Sequence, residues 1–433
     1  MGSAPDTPTT ASSASRGALA TSERPSYGSR MVAPHAGIRV LEVANWLAAP
    51  AAGALMADLG ADVVKVEPPE GDVFRGYRMT SMGYSEPFEH NYAFECDNRG
   101  KRSVTVALDR PGGPELVRRL AGNADVFLTN LIQPRCERYG LTWQDLRAVN
   151  AKVIYTAFSG YGRRGPDQSR PGFDYAAFWA RSGIMGLLGE PPSPPPLCRA
   201  GQGDHTTALN ILAAVLAALR VRDRTGDAQY VEVTLQGTGM YTLATDFQAA
   251  LIAREQPRRH DRTRPANPIW NSYQCADGEW VLLVMPQPDP YWPRFCAAIG
   301  KPEWAADPRY DSLPKRRDET LTLTAAIAAA FASRPRAYWA AKLDEHGLIW
   351  APVATLPDVI ADPQAREMGW ITTIDHPAFG RFETVGTPFH IAGADVGPRG
   401  GAPEAGAHTF EVLAELGVDD EEIGKLAAAG VIG

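Results

Sequence analysis

The stretch of the sequence best suited to chemistry is GQGDHTT, residues 201–207. Asp204 stands behind Gly201 and Gly203, and a long apolar run follows it over 205–223. We expect Asp204 at the N-cap of a helix that is buried on most sides, because aspartate is a favoured capping residue. Helix N–H groups and the helix dipole would then keep it ionised at neutral pH. A structural cap and a covalent nucleophile are therefore both open interpretations of Asp204.

The first half of the chain alternates short apolar segments with amphipathic ones. Alternation of this kind is typical of a mostly parallel sheet with helices on both faces, so we predict an α/β fold with a Rossmann-like large domain. Helices are predicted over 50–60, 112–122, 143–149 and 205–223. Strands are predicted over 38–44, 61–67, 102–108, 124–130, 152–160 and 229–235.

A dinucleotide site is not expected in this sheet. Glu67 ends the second predicted strand, where Rossmann folds keep a ribose-binding acid, but the first turn reads ANWLAAPAAG and has no G-x-G-x-x-G pattern. Without those glycines the backbone cannot approach a pyrophosphate in the usual way. The sequence therefore predicts the fold without the nicotinamide or flavin.

Composition excludes several other classes. The 433 residues include 43 Lys and Arg against 50 Asp and Glu, a net charge of −7, which argues against nucleic-acid binding. The five cysteines form no C-x-x-C pair, which favours reduced thiols in a cytoplasmic protein and argues against a metal site. No stretch approaches the roughly 20 apolar residues of a membrane span, so we expect no membrane association.

Five stretches, in order along the chain, resemble the class III CoA-transferase family. The resemblance covers about 36–433, and VANWLAAPAAG, PGFDYAAFWARSG and GDH are most similar to the phenyllactate-type and benzylsuccinate-type CoA-transferases. It implies that Asp204 attacks an acyl-CoA thioester and passes CoA to a free carboxylic acid through an aspartyl anhydride and an aspartyl-CoA thioester. It also implies no permanently bound cofactor, since CoA enters as substrate, and an interlocked homodimer. The stretches that carry the resemblance are 40–72, 98–109, 159–183, 201–209 and 406–417.

The resemblance also implies the roles of further residues. Asp174, Phe173 and Gly203 would lie near the nucleophile as auxiliary residues. An arginine suits the nucleotide phosphates by charge and geometry. The expected CoA-binding residues are Leu47, Ala48, Arg75, Val106, Asp109, Asn130 and Arg138.

Two alternatives to a CoA-transferase stay open. Related acyl-CoA racemases use the same aspartate beside a histidine, but Phe173 stands at that histidine's place and cannot move a proton. His205 follows Asp204 directly, and neighbouring helix positions point about 100° apart, so we expect a structural role for it. The second alternative is a non-catalytic CoA-binding subunit of a heteromeric transferase.

The acceptor acid is predicted from the residues near these motifs. Leu47 replaces a glutamine of the formyl-CoA enzymes, and 262–280 lacks their glycine-rich loop, so oxalate is not the expected acceptor. If half of the nearby aromatic residues line the pocket, a bulky, aromatic or branched acid fits best. These aromatic residues are Trp46, Phe173, Phe178 and Trp179.

The local composition along the chain, together with the resemblance, predicts the domain organisation. The Ser-, Thr-, Ala- and Pro-rich start is predicted to be a disordered tail. A hairpin with a turn at Asp277–Gly278, followed by helices, indicates a smaller α+β domain. The predicted units are the tail (1–35), the large CoA-binding domain (36–240), a linker (241–269), the small domain (270–355), a second linker (356–380) and a C-terminal segment that returns to the large domain (381–433).

Overall fold

A computed structural model of the chain describes residues 31–77, residue 83 and residues 90–433. Residues 1–30 of the predicted tail lie outside the described residues. The main sheet has six parallel strands in the order β3-β2-β1-β4-β5-β6, which confirms the predicted α/β class and its parallel sheet. The strands are β1 (Arg39–Val43), β2 (Asp62–Glu67), β3 (Arg102–Thr105), β4 (Val126–Thr129), β5 (Ile154–Ser159) and β6 (Gln229–Thr234).

Helices cover both faces of this sheet, as the alternating pattern predicts. Met56 and Val215 belong to the apolar core on one face, and Leu116 and Leu146 belong to the core on the other. The helices up to residue 253 are α1 (Ala48–Asp58), α2 (Tyr92–Asn98), α3 (Gly113–Gly122), α4 (Gln133–Tyr139), α5 (Trp143–Val149), α6 (Ile184–Leu187), α7 (Gln202–Thr225), α8 (Leu235–Thr242) and α9 (Ala244–Ala253).

A buried ionic network holds the turn between β1 and α1. The ammonium of Lys65 lies 3.0 Å from Glu42 and 2.9 Å from Asp72, and it donates a hydrogen bond of 2.8 Å to the carbonyl of Ala44. Lys101 lies 2.8 Å from the second carboxylate oxygen of Glu42. Buried charges are tolerated when they are paired in this way. The network therefore fixes the backbone at the carboxyl end of β1.

A second, antiparallel sheet follows the large one along the chain. Its strands are β7 (Ser272–Gln274), β8 (Trp280–Leu283) and β9 (Trp350–Pro352), and the first two form the predicted hairpin with Gly278 in its turn. The helices that accompany it are α10 (Trp292–Ala298), α11 (Leu313–Asp318), α12 (Thr320–Phe331) and α13 (Arg336–Glu345).

The last part of the chain packs against β3 of the large sheet. Val431 and Ile432 lie in the same core as Leu116, and the N–H of Ala107 donates a hydrogen bond of 2.8 Å to the carbonyl of Val431. The remaining elements are α14 (Leu356–Ala361), α15 (Pro363–Glu367), β10 (Ile371–His376), β11 (Gly380–Val385), α16 (Thr409–Glu415) and α17 (Asp420–Ala428).

Two predictions about α7 are wrong. Its N-cap is Gly201, in a left-handed conformation with φ +81°, so Asp204 lies inside the first turn as the third helical residue. A glycine adopts this conformation without steric penalty, which lets the helix begin before Asp204. The helix is also not buried on most sides, since Leu209, Leu216 and Val221 are exposed.

Among the described residues, no helix combines the length and apolar character that a bilayer span requires. All five cysteines are free thiols. The described part of the chain holds no cluster of three or more His, Cys, Asp or Glu side chains arranged for a metal ion.

Candidate active site

A cavity of about 280 Å³ opens at the carboxyl ends of the parallel strands, and we call it the central cavity. It lies where the strand order reverses between β1 and β4, the position at which open α/β sheets bind ligands. Its walls come from the β1–α1 turn (45–48), the loop 172–175, the first turn of α7 and single residues from neighbouring elements. Asp204 lies in this wall, which gives its carboxyl group access to a small ligand.

Asp204 is half-buried in the first turn of α7. Burial raises the pKa of Asp204 to about 7, the negative charge of Asp174 acts in the same direction, and the positive charge of His205 opposes both. From the sequence we expected a fully ionised carboxylate. The sequence indicates the start of the helix, but it shows neither the burial of Asp204 nor the nearby Asp174. At neutral pH the carboxyl group therefore changes readily between its two protonation states.

Asp174 is the second acid of the central cavity and is only 4% exposed. Burial raises the pKa of Asp174 to about 6, although the nearby N–H groups of Gly201 and Gly203 favour its anion. Neither of its carboxyl oxygens has a hydrogen-bond partner of ordinary geometry among the described residues. The N–H groups of Gly201 and Gly203 therefore stand as the nearest donors to a buried carboxyl group at the edge of the cavity.

Glycines bring the two acidic segments together. A Cβ on Gly203 would lie 2.4 Å from Oδ1 of Asp174 and 2.4 Å from Cγ of Phe178. A Cβ on Gly160 would lie 2.6 Å from the Cα of Gly172. Since real side chains do not approach this closely, the loop that carries Asp174 can reach α7 only because these positions lack side chains.

Aromatic side chains form one wall of the cavity. Trp46 and Phe173 meet edge to face with their ring centroids 5.4 Å apart, and Phe173 is 55% exposed. Trp46 has a left-handed backbone with φ +71°, a conformation that costs on the order of 1–3 kcal/mol in a residue other than glycine and often marks a functional site. Phe178 and Trp179 are core residues in a π-helical turn, so two of the four predicted aromatic residues line the cavity.

Three of the predicted CoA-binding residues line the central cavity: Leu47, Ala48 and Asn130. The amide of Asn130 joins the ends of β4 and β1, because its Nδ2 donates to the carbonyl of Asn45 at 2.7 Å and its Oδ1 accepts from the N–H of Asn45 at 3.2 Å. This pair of hydrogen bonds fixes the cavity floor at the point where the strand order reverses.

Two further cavities extend away from the central one. Val106 and Asp109 line a cavity of about 530 Å³ that shares Asn45 with the central cavity. Arg138 lines a third cavity of about 340 Å³, which shares Asp109 with the second. Together the three form a groove, and its far cavity is lined by three arginines and two acids. The arginines along its two outer cavities are Arg110, Arg118, Arg135 and Arg138.

Arg75 is placed differently from the other predicted CoA-binding residues. Its guanidinium lies 2.6 Å from Glu67 and stacks over the ring of Phe94 at 4.2 Å. Although burial favours the neutral acid, Arg75 and Lys65 lower the pKa of Glu67 to about 2. Arg75 lines none of the three cavities, and its observed contacts are those of a structural ion pair.

Sequence reasoning missed a pair beside the nucleophile candidate. Nε2 of His205 lies 2.8 Å from Oδ1 of Asp97, and His205 lines the central cavity together with Asp204. The sequence predicts a structural role for His205, and its hydrogen bond to Asp97 is of that kind, while its place in the cavity wall also brings it next to the candidate site. The histidine next to Asp204 was a visible signal, whereas Asp97 lies 108 residues earlier and had none.

Comparison with known proteins gives one consistent result. The family model described as CoA-transferase family III matches residues 36–409. The (R)-2-hydroxy-4-methylpentanoate CoA-transferase of Clostridioides difficile is 30% identical over 92% of this chain and 98% of its own length. The cinnamoyl-CoA:phenyllactate CoA-transferase of Clostridium sporogenes is 30% identical over 90% of this chain and 95% of its own.

Solved structures lead to the same group. The crystal structure of a CaiB/BaiF family protein from Brucella suis superimposes with a TM-score of 0.78 and 31% identity. The match covers 89% of this chain and 100% of that one.

Proposed function

This chain belongs to CoA-transferase family III, and from that premise we propose that Asp204 carries CoA between an acyl-CoA thioester and a free carboxylic acid. The observation that supports the proposal most is the position of Asp204 in the wall of the central cavity, with its pKa raised to about 7. A carboxylate that is partly stripped of water yet still ionised at neutral pH is a good covalent nucleophile.

The proposed reaction needs only the two substrates and Asp204. An Asp204 oxygen attacks the thioester carbon, the C–S bond breaks, and a mixed anhydride and CoA thiolate form. The thiolate attacks Cγ of Asp204, releases the donor acid as its carboxylate and leaves an aspartyl-CoA thioester. The acceptor carboxylate attacks the same Cγ and expels the thiolate, which then takes the acceptor acyl group from the second anhydride. Asp204 is restored, and no proton or electron is gained or lost overall.

The charges along the groove favour one orientation of the bound CoA molecule. The outer cavities of the groove carry Arg110, Arg135 and Arg138, and guanidinium groups bind phosphates well. The central cavity has mostly apolar walls around Asp204. We propose that the nucleotide lies at the arginine end and that the thioester reaches Asp204 past Asn45, which both cavities share.

The aromatic wall supports a bulky acceptor. The similar enzymes named above act on branched and aromatic 2-hydroxy acids, as their names state. Trp46 and Phe173 would give such a side chain an apolar surface to pack against. We propose an aromatic or branched organic acid as acceptor. Phe173→Ala should therefore reduce kcat/KM for an aromatic acid more than for acetate.

A homodimer is the second part of the proposal. No residue of α9 is buried, and its Leu251 and Ile252 are 55% and 75% exposed. An unburied helix with exposed apolar side chains is a candidate surface for association. A second copy of the chain is the partner that the family resemblance favours. Tagged and untagged protein, purified separately and mixed, should give dimers by light scattering but no mixed species without unfolding. We place this dimer in the cytoplasm, where free cysteines persist.

One experiment tests the chemistry directly. Protein incubated with a panel of acyl-CoA donors and carboxylic acids is followed by mass spectrometry of both the small molecules and the digested protein. We expect new acyl-CoA products, and CoA attached to the peptide that contains Asp204. Asp204→Asn should abolish both signals, because an amide is a far weaker nucleophile than a carboxylate. Transfer by the Asn variant at near-wild-type rate would disprove the mechanism.

The same incubation in heavy water separates transfer from racemisation. Phe173 stands where the racemases carry a histidine, so a 2-methylacyl-CoA should keep its α-hydrogen. Rapid, enzyme-dependent uptake of deuterium at that carbon would favour the racemase alternative.

A further inference from the structure

A histidine–carboxylate pair stands beside Asp204 and has no part in the reaction described above. His205 follows Asp204 in the first turn of α7, and Asp97 lies in the last turn of α2. Nε2 of His205 lies 2.8 Å from Oδ1 of Asp97, whose side chain is 2% exposed. A buried carboxylate accepts this hydrogen bond best when Nε2 carries a proton, so Asp97 favours the protonated ring.

The imidazole is confined on its other sides. A Cβ on Gly201 would lie 3.5 Å from Cε1 of His205, so the ring covers the glycine that begins α7. Asp97 is itself fixed, because Lys101 donates a hydrogen bond of 2.9 Å to its backbone carbonyl. The side chain of His205 is 52% exposed, and it lines the central cavity.

The charges around the ring are unbalanced. The acids that act on it are Asp97 from α2, Asp204 from its own helix and Asp174 from the loop 172–175. Behind Asp97, Arg99 and Lys101 interact with its carboxylate. Of the described residues that line the central cavity, His205 is the only one that can carry a positive charge, since no lysine or arginine is among them.

We propose that His205, held in place by Asp97, supplies the positive charge that keeps Asp204 ionised in the central cavity. This inference rests on the proposed function of Asp204. His205 is a positioning residue in this role, because it acts on the reaction through Asp204. Burial and the negative charges of Asp174 and Asp97 all favour a neutral Asp204, and the imidazolium of the next residue in α7 is the group in the cavity that opposes them.

The raised pKa of His205 agrees with this role. Burial opposes the charged ring, but the charge and hydrogen bond of Asp97, with the charge of Asp204, raise the pKa of His205 to about 9. The ring is therefore positively charged over the pH range in which Asp204 loses its proton.

The first test compares pH profiles of kcat/KM for CoA transfer. His205→Gln keeps a donor for Asp97 but has no charge, so the midpoint of the acid limb should rise by at least one pH unit. At pH 6, kcat/KM of His205→Gln should then be about tenfold lower than that of the wild type, and the difference should disappear above pH 8.5. His205→Lys restores a charge and should bring the midpoint back toward the wild-type value. The matched control is His390→Gln, which removes an exposed histidine that is distant from His205 along the chain. An unchanged midpoint in His205→Gln would overturn the inference.

The second test does not depend on activity. Histidine-selective ¹³C labelling of the full-length chain gives few resonances, and the one missing in His205→Gln is that of His205. Its titration midpoint should lie near 9 in the wild type and fall by at least one unit in Asp97→Asn. A midpoint near 6.5 in the wild type would refute the inference. Failure of the proposed function would instead appear as transfer by Asp204→Asn, so the two failures are distinct.

Discussion

Asp174 and Asp204 line one cavity, and the negative charge of Asp174 raises the pKa of Asp204. Their segments meet at Gly203, where a Cβ would lie 2.4 Å from Oδ1 of Asp174. Burial raises both pKa values, and the nearby charge of Asp174 raises that of Asp204 further. The nucleophile candidate therefore works near the pH at which half of it is charged.

The rate of transfer should follow the ionisation of Asp204. Because only the carboxylate is nucleophilic and its pKa is about 7, kcat/KM should rise as pH increases through that value. Asp174→Asn removes the neighbouring negative charge and should move the midpoint to lower pH. The measurement is a kcat/KM profile between pH 5 and 9 for both proteins. Identical midpoints would show that Asp174 does not act on the nucleophile.

Removing the charge of Asp204 should stabilise the fold at pH values above 7. The folded pKa of about 7 lies above the ordinary value of 3.8, so this group's stabilising contribution is complete below about pH 4 and is lost as pH rises through 7. Asp204→Asn avoids that loss. Its free energy of unfolding at pH 8 should exceed that of the wild type by a few kcal/mol, from roughly 1.4 kcal/mol per pKa unit. At pH 4 the two proteins should unfold alike.

Chemical denaturation at both pH values measures this difference. Asp420→Asn is the control, since Asp420 also lies in the first turn of a helix, α17, but in an exposed place. Its effect should be small and nearly the same at both pH values. A lower stability of Asp204→Asn at pH 8 would mean that the carboxylate stabilises the helix start more than burial opposes it.

A methyl group at position 203 should damage the site. In Gly203→Ala the new Cβ would overlap Asp174 and Phe178, so we expect a loss of about 1–3 kcal/mol in stability and at least a tenfold drop in kcat/KM. Gly122→Ala is the matched control at the end of α3, where a Cβ would meet nothing within 4 Å. Alanine is the better helix former, and this variant should lose no stability. Equal thermal melts for the two variants would contradict the close approach at Gly203.

The arginine end of the groove should set the affinity for CoA. Arg138→Ala should raise KM for the acyl-CoA donor about tenfold with little change in kcat, as expected for one charge-assisted contact to phosphate. The increase should shrink at high salt, because exposed charges are screened. Arg147→Ala removes an exposed arginine that stacks on Trp143 and lines none of the three cavities, so it should leave KM unchanged. Equal KM values for both variants would place the nucleotide elsewhere.

Local patterns in the sequence were sufficient for several strands and helices of the large domain. The predicted strand 61–67 is β2 (Asp62–Glu67), and the predicted helix 143–149 is α5 (Trp143–Val149). Gly60 ends α1 with φ +92°, as its position after the helix indicates. Hydrophobic periodicity and capping involve residues that are close together in the sequence, so both can be recognised from a single sequence.

Properties that depend on distant neighbours could not be predicted. The protonation of Asp204 follows from burial and from Asp174, and the charge of His205 follows from Asp97, which is far away along the chain. The N-cap was misplaced because Asp204 looked like a better cap than Gly201, whereas the left-handed turn begins the helix at the glycine. The sequence likewise could not show which aromatic residues line the cavity, because tertiary packing decides this.

The contacts between the end of the chain and β3 set an order for folding in the cell. The hydroxyl of Thr105 donates a hydrogen bond to the carbonyl of Gly433, a separation of 328 residues. Forming contacts between residues so far apart in sequence costs loop-closure entropy, and they cannot form until residue 433 has been synthesised and has emerged from the ribosome. Until then, Leu116 and Val117 of α3 lack the apolar cover of Val431 and Ile432. We expect nascent chains to expose this face to chaperones until the segment around Val431 has emerged.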